Sequence, residues 1–257
     1  MNNTPAVASP EVLLSARQLT KRFGGLAAVH DVSIDLWRQK IHAVIGPNGA
    51  GKSTLTNLLS GDLPPTSGTV QLGAKDITGR KPETISRHGL GRSYQKTNIF
   101  LPFTVWENVR LAAQSRDPQV WRWLSGAASR QAINERAEAA LALAGLSAQR
   151  NAIAGNTSHG EQRQLEIAMT LATAPQVLLL DEPLAGMGVA EAERMVELLL
   201  KLKSTHAILL VEHDMDAVFA LADHLTVMVN GEVIASGSPE AVRSNAQVQA
   251  AYLGDDH

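Results

Sequence analysis

The chain contains no cysteine among its 257 residues. That absence excludes disulfides, thiolate zinc sites, iron–sulfur ligation and a cysteine nucleophile. An excess of one charge is also lacking, because 23 Lys and Arg face 25 Asp and Glu and leave a formal net charge of −2. Since a near-neutral chain has no general attraction to polyanions, nucleic acid is not expected as a partner.

Long apolar runs are absent too. Runs such as residues 177–180 have the length of a strand, and none approaches the roughly 20 apolar residues of a membrane-spanning helix. Residues 1–11 lack the basic start and the apolar stretch of a signal peptide, so we expect them to form a disordered tail. Because no internal repeat or Gly/Ser linker divides the rest, we expect a single domain over residues 12–257.

The pattern that is present changes along the chain. Val32, Ile34 and Leu36 alternate with polar residues, which predicts a half-buried strand in an early, partly antiparallel region. Later, short apolar runs each precede a helix-like segment, as in a parallel sheet buried on both faces. These runs are residues 41–45, 177–180 and 207–211. Between residues 104 and 172 the strand signal disappears, so the sequence predicts an α/β fold with a helical insert.

A glycine-rich segment follows the first of these runs and precedes a helix-like stretch. It matches the pattern G-x-x-x-x-G-K-[ST] from Gly46 to Ser53. Glycines let backbone N–H groups surround an anion, the helix N-terminus adds partial positive charge, and Lys52 can reach the terminal phosphates of a nucleotide. Ser53 supplies a hydroxyl ligand for Mg²⁺. Nucleotide contacts are predicted from this phosphate loop, which comprises Gly46, Pro47, Asn48, Gly49, Ala50, Gly51, Lys52, Ser53 and Thr54.

Two adjacent carboxylates follow the apolar run 177–180. Asp181 and Glu182 stand where a buried parallel strand ends, which is where ligand sites of α/β sheets form. Since neighbouring strand residues point to opposite sides, we expect the two carboxylates to have different roles. Asp181 is the better Mg²⁺ ligand, and Glu182 is the candidate base that activates water. Pro183 is expected to hold Glu182 in an extended backbone conformation.

A third motif precedes this pair by one helix. The segment 158–163, Ser-His-Gly-Glu-Gln-Arg, resembles the L-S-G-G-Q signature of ATP-binding cassette (ABC) ATPases. Ser158, Gly160 and Gln162 match that signature, and a histidine replaces its first glycine. A Ser hydroxyl and a Gly amide that open a helix form an anion site. These three residues are therefore expected to contact nucleotide.

Three more positions follow the order of motifs in that family. Gln95 resembles the Q-loop glutamine, which touches Mg²⁺ and the attacking water. His213 resembles the switch histidine, which contacts the γ-phosphate. Phe23 resembles the aromatic residue that stacks on adenine. The segment 184–188 departs from the common S-A-L-D pattern because it contains no Asp, so no role across a dimer interface is assigned to it.

The resemblance extends from about Val12 to Gly254. It implies an ABC-type P-loop domain with a parallel-sheet core, an antiparallel β subdomain and a helical subdomain at about residues 96–173. It also implies an ATPase that uses ATP and Mg²⁺. In this family the signature of one subunit caps ATP held on the phosphate loop of another, so two chains, identical or paralogous, are expected to enclose two ATP molecules.

Finer features resemble the ATPase subunits of importers for branched-chain and hydrophobic amino acids, a group that also serves urea and short amides. These features lie in the segments 23–29, 160–168, 212–215 and 248–254. The resemblance implies permease subunits as partners, a periplasmic solute-binding protein as an indirect partner, and a peripheral position on the cytoplasmic side of the inner membrane. Lipopolysaccharide-export ATPases are similar and remain an alternative.

Two further classes of protein remain as alternatives. A soluble ABC ATPase that acts on chromosomes or ribosomes would be expected to carry a long coiled-coil insertion or a second cassette, and this chain has neither. A P-loop kinase of small molecules would leave the segment 158–162 and His213 without a purpose. Both alternatives therefore explain fewer of the motifs than a transporter ATPase does.

The permeases are expected to dock where Gln95 meets the helical insert. Residues 99–103 offer apolar side chains at that place. Trp106, Trp121 and Trp123 follow, and aromatic side chains are enriched both in interfaces and in the core of a helical insert. Both locations remain open for the three tryptophans.

Overall fold

A computed structural model describes residues 11–94, 98–116 and 127–253. The strands are β1 (Val12–Phe23), β2 (Leu26–Trp37), β3 (Ile41–Ile45), β4 (Ser67–Leu72), β5 (Lys75–Asp76), β6 (Leu90–Arg92), β7 (Val177–Asp181), β8 (Ala207–Val211), β9 (His224–Val229) and β10 (Glu232–Gly237). The helices are α1 (Lys52–Ser60), α2 (Pro82–Arg87), α3 (Val105–Gln114), α4 (Ala127–Leu143), α5 (His159–Ala172), α6 (Val189–Lys203), α7 (Met215–Leu221), α8 (Pro239–Arg243) and α9 (Ala246–Leu253). The succession of strands and helices confirms the predicted α/β class.

The first sheet is antiparallel and has the strand order β2-β1-β4-β5. Along β2, Val32, Ile34 and Leu36 are buried and Ser33 is exposed, so the predicted alternation is confirmed. β1 shows no such regularity, because bulges interrupt its pairing with both neighbours. A bulge shifts the side chains that follow it to the other face, which hides the period-two pattern in the sequence.

The second sheet has the strand order β10-β9-β3-β8-β7-β6. The strands from β9 to β6 are parallel, and β10 adds an antiparallel edge. On one face Leu178 and Leu180 pack in a cluster with residues of α3, α4, α5 and α6. On the other face Val177 and Leu179 pack with residues of α1 and of the antiparallel sheet. Because both faces are covered, the apolar runs that predict these strands are continuous.

Helices α3, α4 and α5 lie between β6 and β7 and pack on one another through buried residues such as Val109, Leu141 and Leu165. This agrees with the loss of strand signal that predicts a helical insert. Within the described ranges, none of the helices combines the length and apolar character that crossing a bilayer requires. The predicted tail lies almost wholly outside those ranges, and the limits of the domain and of its helical part remain predictions.

Candidate active site

The loops that carry the predicted site residues meet at one edge of the parallel sheet. β3 pairs with β8 and β8 pairs with β7, so the carboxyl ends of the three strands lie side by side. The phosphate loop follows β3, Asp181 ends β7, and His213 lies just beyond β8. β6 pairs in parallel with β7 and ends three residues before Gln95, which itself lies outside the described residues. Ligands of open α/β sheets bind at this kind of edge.

The phosphate loop is folded tightly against neighbouring backbone. A Cβ atom on Gly46 would overlap the carbonyl oxygen of Met228 in β9, and one on Gly51 would overlap that of Ala28 in β2. Gly51 also has a φ of 100°, which residues with a side chain rarely adopt. α1 begins directly after it, and no side chain of the described residues caps its first turn. The free N–H groups of that turn face the place where an anion would bind.

The side chain of Lys52 folds back over this loop. Its Nζ donates hydrogen bonds to the carbonyl oxygens of Gly46 and Pro47 at 2.6 and 3.0 Å. Partial burial lowers the pKa of Lys52, whereas the nearby carboxylates of Glu182 and Asp181 act in the opposite direction. The ammonium group thus lies between the loop and the two carboxylates.

Asp181 ends β7 as a buried carboxylate that is 4 % exposed. Its Oδ2 lies 3.9 Å from Nη2 of Arg92, and its Oδ1 has no hydrogen-bond partner among the described residues. Burial raises the pKa of Asp181, and the guanidinium of Arg92 opposes that rise. An uncompensated carboxylate oxygen is costly to bury, so this oxygen fits a site for a hard cation such as Mg²⁺.

Glu182 has a different backbone conformation from Asp181. Its φ is 50°, in the left-handed region, so the prediction that Pro183 holds it extended is wrong. The physical reason is that the chain turns here, because the N–H of Ala185 donates to the carbonyl oxygen of Glu182 at 3.2 Å, while the N–H of Glu182 itself continues the β7–β8 ladder to the carbonyl oxygen of Val211 at 2.8 Å. The chain leaves the strand at this point, and the Glu182 side chain is 27 % exposed. The two adjacent carboxylates therefore have different environments.

His213 lies beside Glu182, with its Nδ1 4.0 Å from Oε1 of that carboxylate. Its side chain is mostly exposed at the sheet edge. The preceding residue, Glu212, is buried and accepts hydrogen bonds from the N–H groups of Leu184 and His213. The sequence motifs give Glu212 no chemical role, although a charged residue directly after the buried strand that ends at Val211 is the signal that marks it.

Ser158 caps the N-terminus of α5. Its hydroxyl accepts the N–H of Glu161, and the carboxylate of Glu161 accepts the N–H of Ser158, which forms a capping box. The same hydroxyl donates to Oε1 of Glu191 in α6, and a Cβ on Gly160 would overlap that side chain. Gln162 donates to carbonyl oxygens of the turn before the helix. Within the described residues no hydrogen bond joins this group to the phosphate loop of the same chain.

Phe23 ends β1 in a hairpin and is half exposed. The ammonium of Lys21 lies 5.3 Å from the centre of its ring. The other strand of the hairpin carries Ala28, whose carbonyl oxygen lies against Gly51. The hairpin therefore borders the phosphate loop.

A phosphate loop after a buried strand, with a carboxylate at the end of a neighbouring parallel strand, is typical of P-loop nucleotide-binding domains. Comparison with known proteins narrows this class. A family model described as ABC transporter matches residues 29–185. A second model, described as branched-chain amino acid ATP-binding cassette transporter, matches residues 232–257.

Individual relatives agree with the family models. LivG of Escherichia coli K12, a high-affinity branched-chain amino acid transport ATP-binding protein, is 40 % identical over 251 residues, which cover 95 % of this chain and 98 % of LivG. BraF of Pseudomonas aeruginosa has the same description and is 38 % identical over 252 residues, with the same coverage. A crystal structure of the ADP conformation of an ABC transporter ATP-binding cassette matches with a TM-score of 0.83 and 31 % identity, over 95 % of this chain and 100 % of that one.

The chain belongs to the ATP-binding proteins of ABC transporters. Within that family its relatives are the branched-chain amino acid transport ATP-binding proteins, as the sequence resemblance predicts. As a member of the family it binds ATP and is an ATPase.

Proposed function

We propose that the chain hydrolyses ATP to drive an importer of branched-chain amino acids. The observation that carries this proposal is the meeting of Lys52, Asp181, Glu182 and His213 at one edge of the parallel sheet. The names of LivG and BraF support branched-chain amino acids as the transported compounds. They favour that class over urea, short amides or lipopolysaccharide.

The phosphate loop and its neighbours are proposed to bind ATP. Backbone N–H groups of the loop donate to the phosphates, and the ammonium of Lys52 exchanges carbonyl oxygens for phosphate oxygens. The unpartnered oxygen of Asp181, the hydroxyl of Ser53 and the amide of Gln95 are proposed ligands of Mg²⁺. When bound, Mg²⁺ neutralises phosphate charge. Phe23 is proposed to stack on adenine, because its ring is half exposed in the hairpin that borders the phosphate loop.

Glu182 is proposed to accept the proton of the attacking water. The water oxygen forms a bond to the γ-phosphorus while the bond from that phosphorus to the β-phosphate oxygen breaks. The partial exposure of Glu182 suits this role, because water can reach the carboxylate. His213 and Lys52 are proposed to stabilise the charge on the transferred group.

Ser158, Gly160 and Gln162 are proposed to contact ATP bound to a second chain. The capped N-terminus of α5 favours an anion, since its first N–H groups and the helix dipole are both positive there. The group has no hydrogen bond to its own phosphate loop within the described residues, which supports a partner's nucleotide as its ligand. Two chains would then enclose two ATP molecules, and an isolated chain should hydrolyse ATP slowly.

Permease subunits are proposed to dock on the helical part, beside Gln95. Phe100, Leu101 and Phe103 are between 43 % and 49 % exposed and form an apolar patch. Ile99 packs against the core and does not belong to that patch. An exposed apolar patch of this kind marks an interaction surface. Docking there would hold the chain at the cytoplasmic face of a membrane, with a periplasmic solute-binding protein acting on the other side.

The three tryptophans differ in what the structure describes. Trp106 packs against the core of the insert, and the guanidinium of Arg150 lies 4.1 Å from its ring centre. These contacts support a packing role for Trp106. Trp121 and Trp123 lie outside the described residues.

The test is ATP hydrolysis by the assembled transporter in proteoliposomes. We expect leucine, isoleucine or valine, presented with its solute-binding protein, to stimulate hydrolysis several-fold. Stimulation by urea, acetamide or lipopolysaccharide instead would favour the alternative transporters. An assembled complex that hydrolyses no ATP would contradict the whole proposal.

A further inference from the structure

Glu212 joins two segments of the candidate active site although it lies inside the protein. Its side chain is fully buried at the end of β8. One carboxylate oxygen accepts the N–H of Leu184 at 2.9 Å, and the other accepts the N–H of His213 at 3.2 Å. Leu184 lies two residues after Glu182, so a single carboxylate holds the backbone next to both proposed catalytic side chains.

The burial of this carboxylate calls for an explanation. Among the described residues no Lys or Arg forms an ion pair with Glu212, and Nδ1 of the His213 ring lies 3.8 Å from its Oε2. Burial raises the pKa of Glu212, and the hydrogen bonds from Leu184 and His213 oppose that rise. A buried carboxylate needs such donors because it is costly without them. The two backbone N–H groups are therefore what holds the carboxylate in place.

The backbone conformation of Glu182 indicates what the hydrogen bonds of Glu212 stabilise. A residue with a Cβ atom is strained at a φ of 50°, and such strain persists only where the surroundings impose it. The turn is held on both sides of the strained residue. The N–H of Glu182 donates to Val211, and the N–H of Leu184 donates to Glu212. Without the second bond, the turn loses one of the contacts that hold it against the extended conformation that Pro183 favours, although the N–H of Ala185 still donates to the carbonyl oxygen of Glu182 at 3.2 Å.

We propose that Glu212 is a positioning residue for ATP hydrolysis, which fixes the turn of Glu182 and the backbone of His213 in one arrangement. This inference rests on the proposed function, since it gives Glu212 a role only through those two side chains. Glu212 does not touch nucleotide itself, because its carboxylate is buried and its oxygens are occupied by backbone donors.

The test compares Glu212→Gln and Glu212→Leu with wild type. Gln has nearly the same shape and keeps one acceptor oxygen, but its amide NH₂ group faces a second donor. Leu removes both acceptors. We expect kcat to fall about 10- to 100-fold, more for Leu than for Gln, because small displacements of catalytic groups cost that much. The KM for ATP and the affinity for a fluorescent ATP analogue should stay within about threefold, since the phosphate loop is unchanged.

Asp223→Asn is the matched control. Asp223 also accepts a backbone N–H, that of Ile41, and forms ion pairs with Lys40 and Lys203. It lies at the opposite edge of the sheet, where β3 begins. The control should lower the thermal midpoint while leaving kcat near wild type. The inference would be overturned if kcat did not fall in the Glu212 variants. It would also be overturned if kcat fell only in proportion to a lowered thermal midpoint, as in a merely destabilised protein.

A double mutant separates positioning from general destabilisation. If Glu212 acts through His213, Glu212→Gln should lower kcat much less in a His213→Ala background than in wild type. Equal effects in the two backgrounds would contradict the part of the inference that acts through His213. Wild type serves as the reference for both. A wild-type complex without ATPase activity would contradict the proposed function. An active wild type together with fully active Glu212 variants would contradict only this inference.

Discussion

The hydroxyl of Ser158 donates a hydrogen bond to Oε1 of Glu191 at 2.8 Å. A carboxylate thus occupies the N-terminus of α5, which is the place proposed to receive a phosphate from a second chain. The contact lowers the pKa of Glu191, because the hydrogen bond from Ser158 favours the charged form. Two anions cannot share one helix N-terminus without strong repulsion, so the phosphate must displace Glu191.

Replacement of Glu191 should therefore favour association of two chains. We expect Glu191→Gln to lower the ATP concentration at half-maximal dimerisation several-fold, since a neutral amide repels phosphate less. Analytical ultracentrifugation with increasing ATP measures this concentration. Glu193→Gln, an exposed position on the same helix, is the control. An unchanged or higher ATP requirement in the Glu191 variant would show that its carboxylate does not compete.

Glu182→Gln should bind ATP and lose turnover. The substitution keeps size and backbone conformation but removes the proton acceptor, and general bases contribute about 100- to 10,000-fold to rate. Phosphate release at saturating ATP measures the loss, and a fluorescent ATP analogue measures binding. Phosphate release near the wild-type rate would rule out Glu182 as the base.

Lys52→Ala should weaken nucleotide binding. Charge-assisted hydrogen bonds from the ammonium to phosphate contribute about 1.5–3 kcal/mol, so the affinity for ATP should fall about 10- to 100-fold. A filter-binding titration measures the change. Lys81→Ala, which removes an exposed ammonium outside the site, should bind ATP like wild type. Equal affinity of the two variants would contradict the role of Lys52.

A buried histidine should make stability depend on pH. His42 is 2 % exposed. Its Nδ1 donates to the carbonyl oxygen of Asp35, because a carbonyl can only accept, so Nε2 accepts from the hydroxyl of Thr226. Burial lowers the pKa of His42 from 6.5 to about 4. Since the folded protein resists protonation, this stabilisation is present above pH 6.5 and is lost as the pH falls from there toward 4.

The expected loss in free energy of unfolding between pH 7 and pH 5 is about 2 kcal/mol. Urea unfolding at several pH values measures it. His42→Gln keeps a donor and an acceptor without titrating. The loss in free energy of unfolding between pH 7 and pH 5 should therefore be smaller in the variant by about 2 kcal/mol. The pKa of His206 is lowered as well, and this residue contributes to both proteins. The pKa of His224 is also lowered, and its ring centre lies 4.5 Å from that of His42, so the two residues are compared as a contacting pair. The same slope in wild type and variant would exclude His42 as the cause.

The places of the phosphate loop, Asp181 and His213 could be predicted from the sequence. Each of them follows a short apolar run, and parallel strands bring such ends together. The backbone conformation of Glu182 could not be predicted, because the local preference before proline favours extension and the turn closed by the N–H of Ala185 overrides it. Glu212 carries one signal, a charged residue directly after the apolar run 207–211, but its burial and its two backbone donors arise only from packing.

The left-handed conformation of Glu182 also bears on how this site evolves. Glycine would relieve the strain at φ 50°, so folding favours the loss of this carboxylate. Selection for ATP turnover is therefore expected to retain a side chain here. A lineage released from that selection would be free to lose Glu182 early, and its descendants would fold at least as well as the active ancestor.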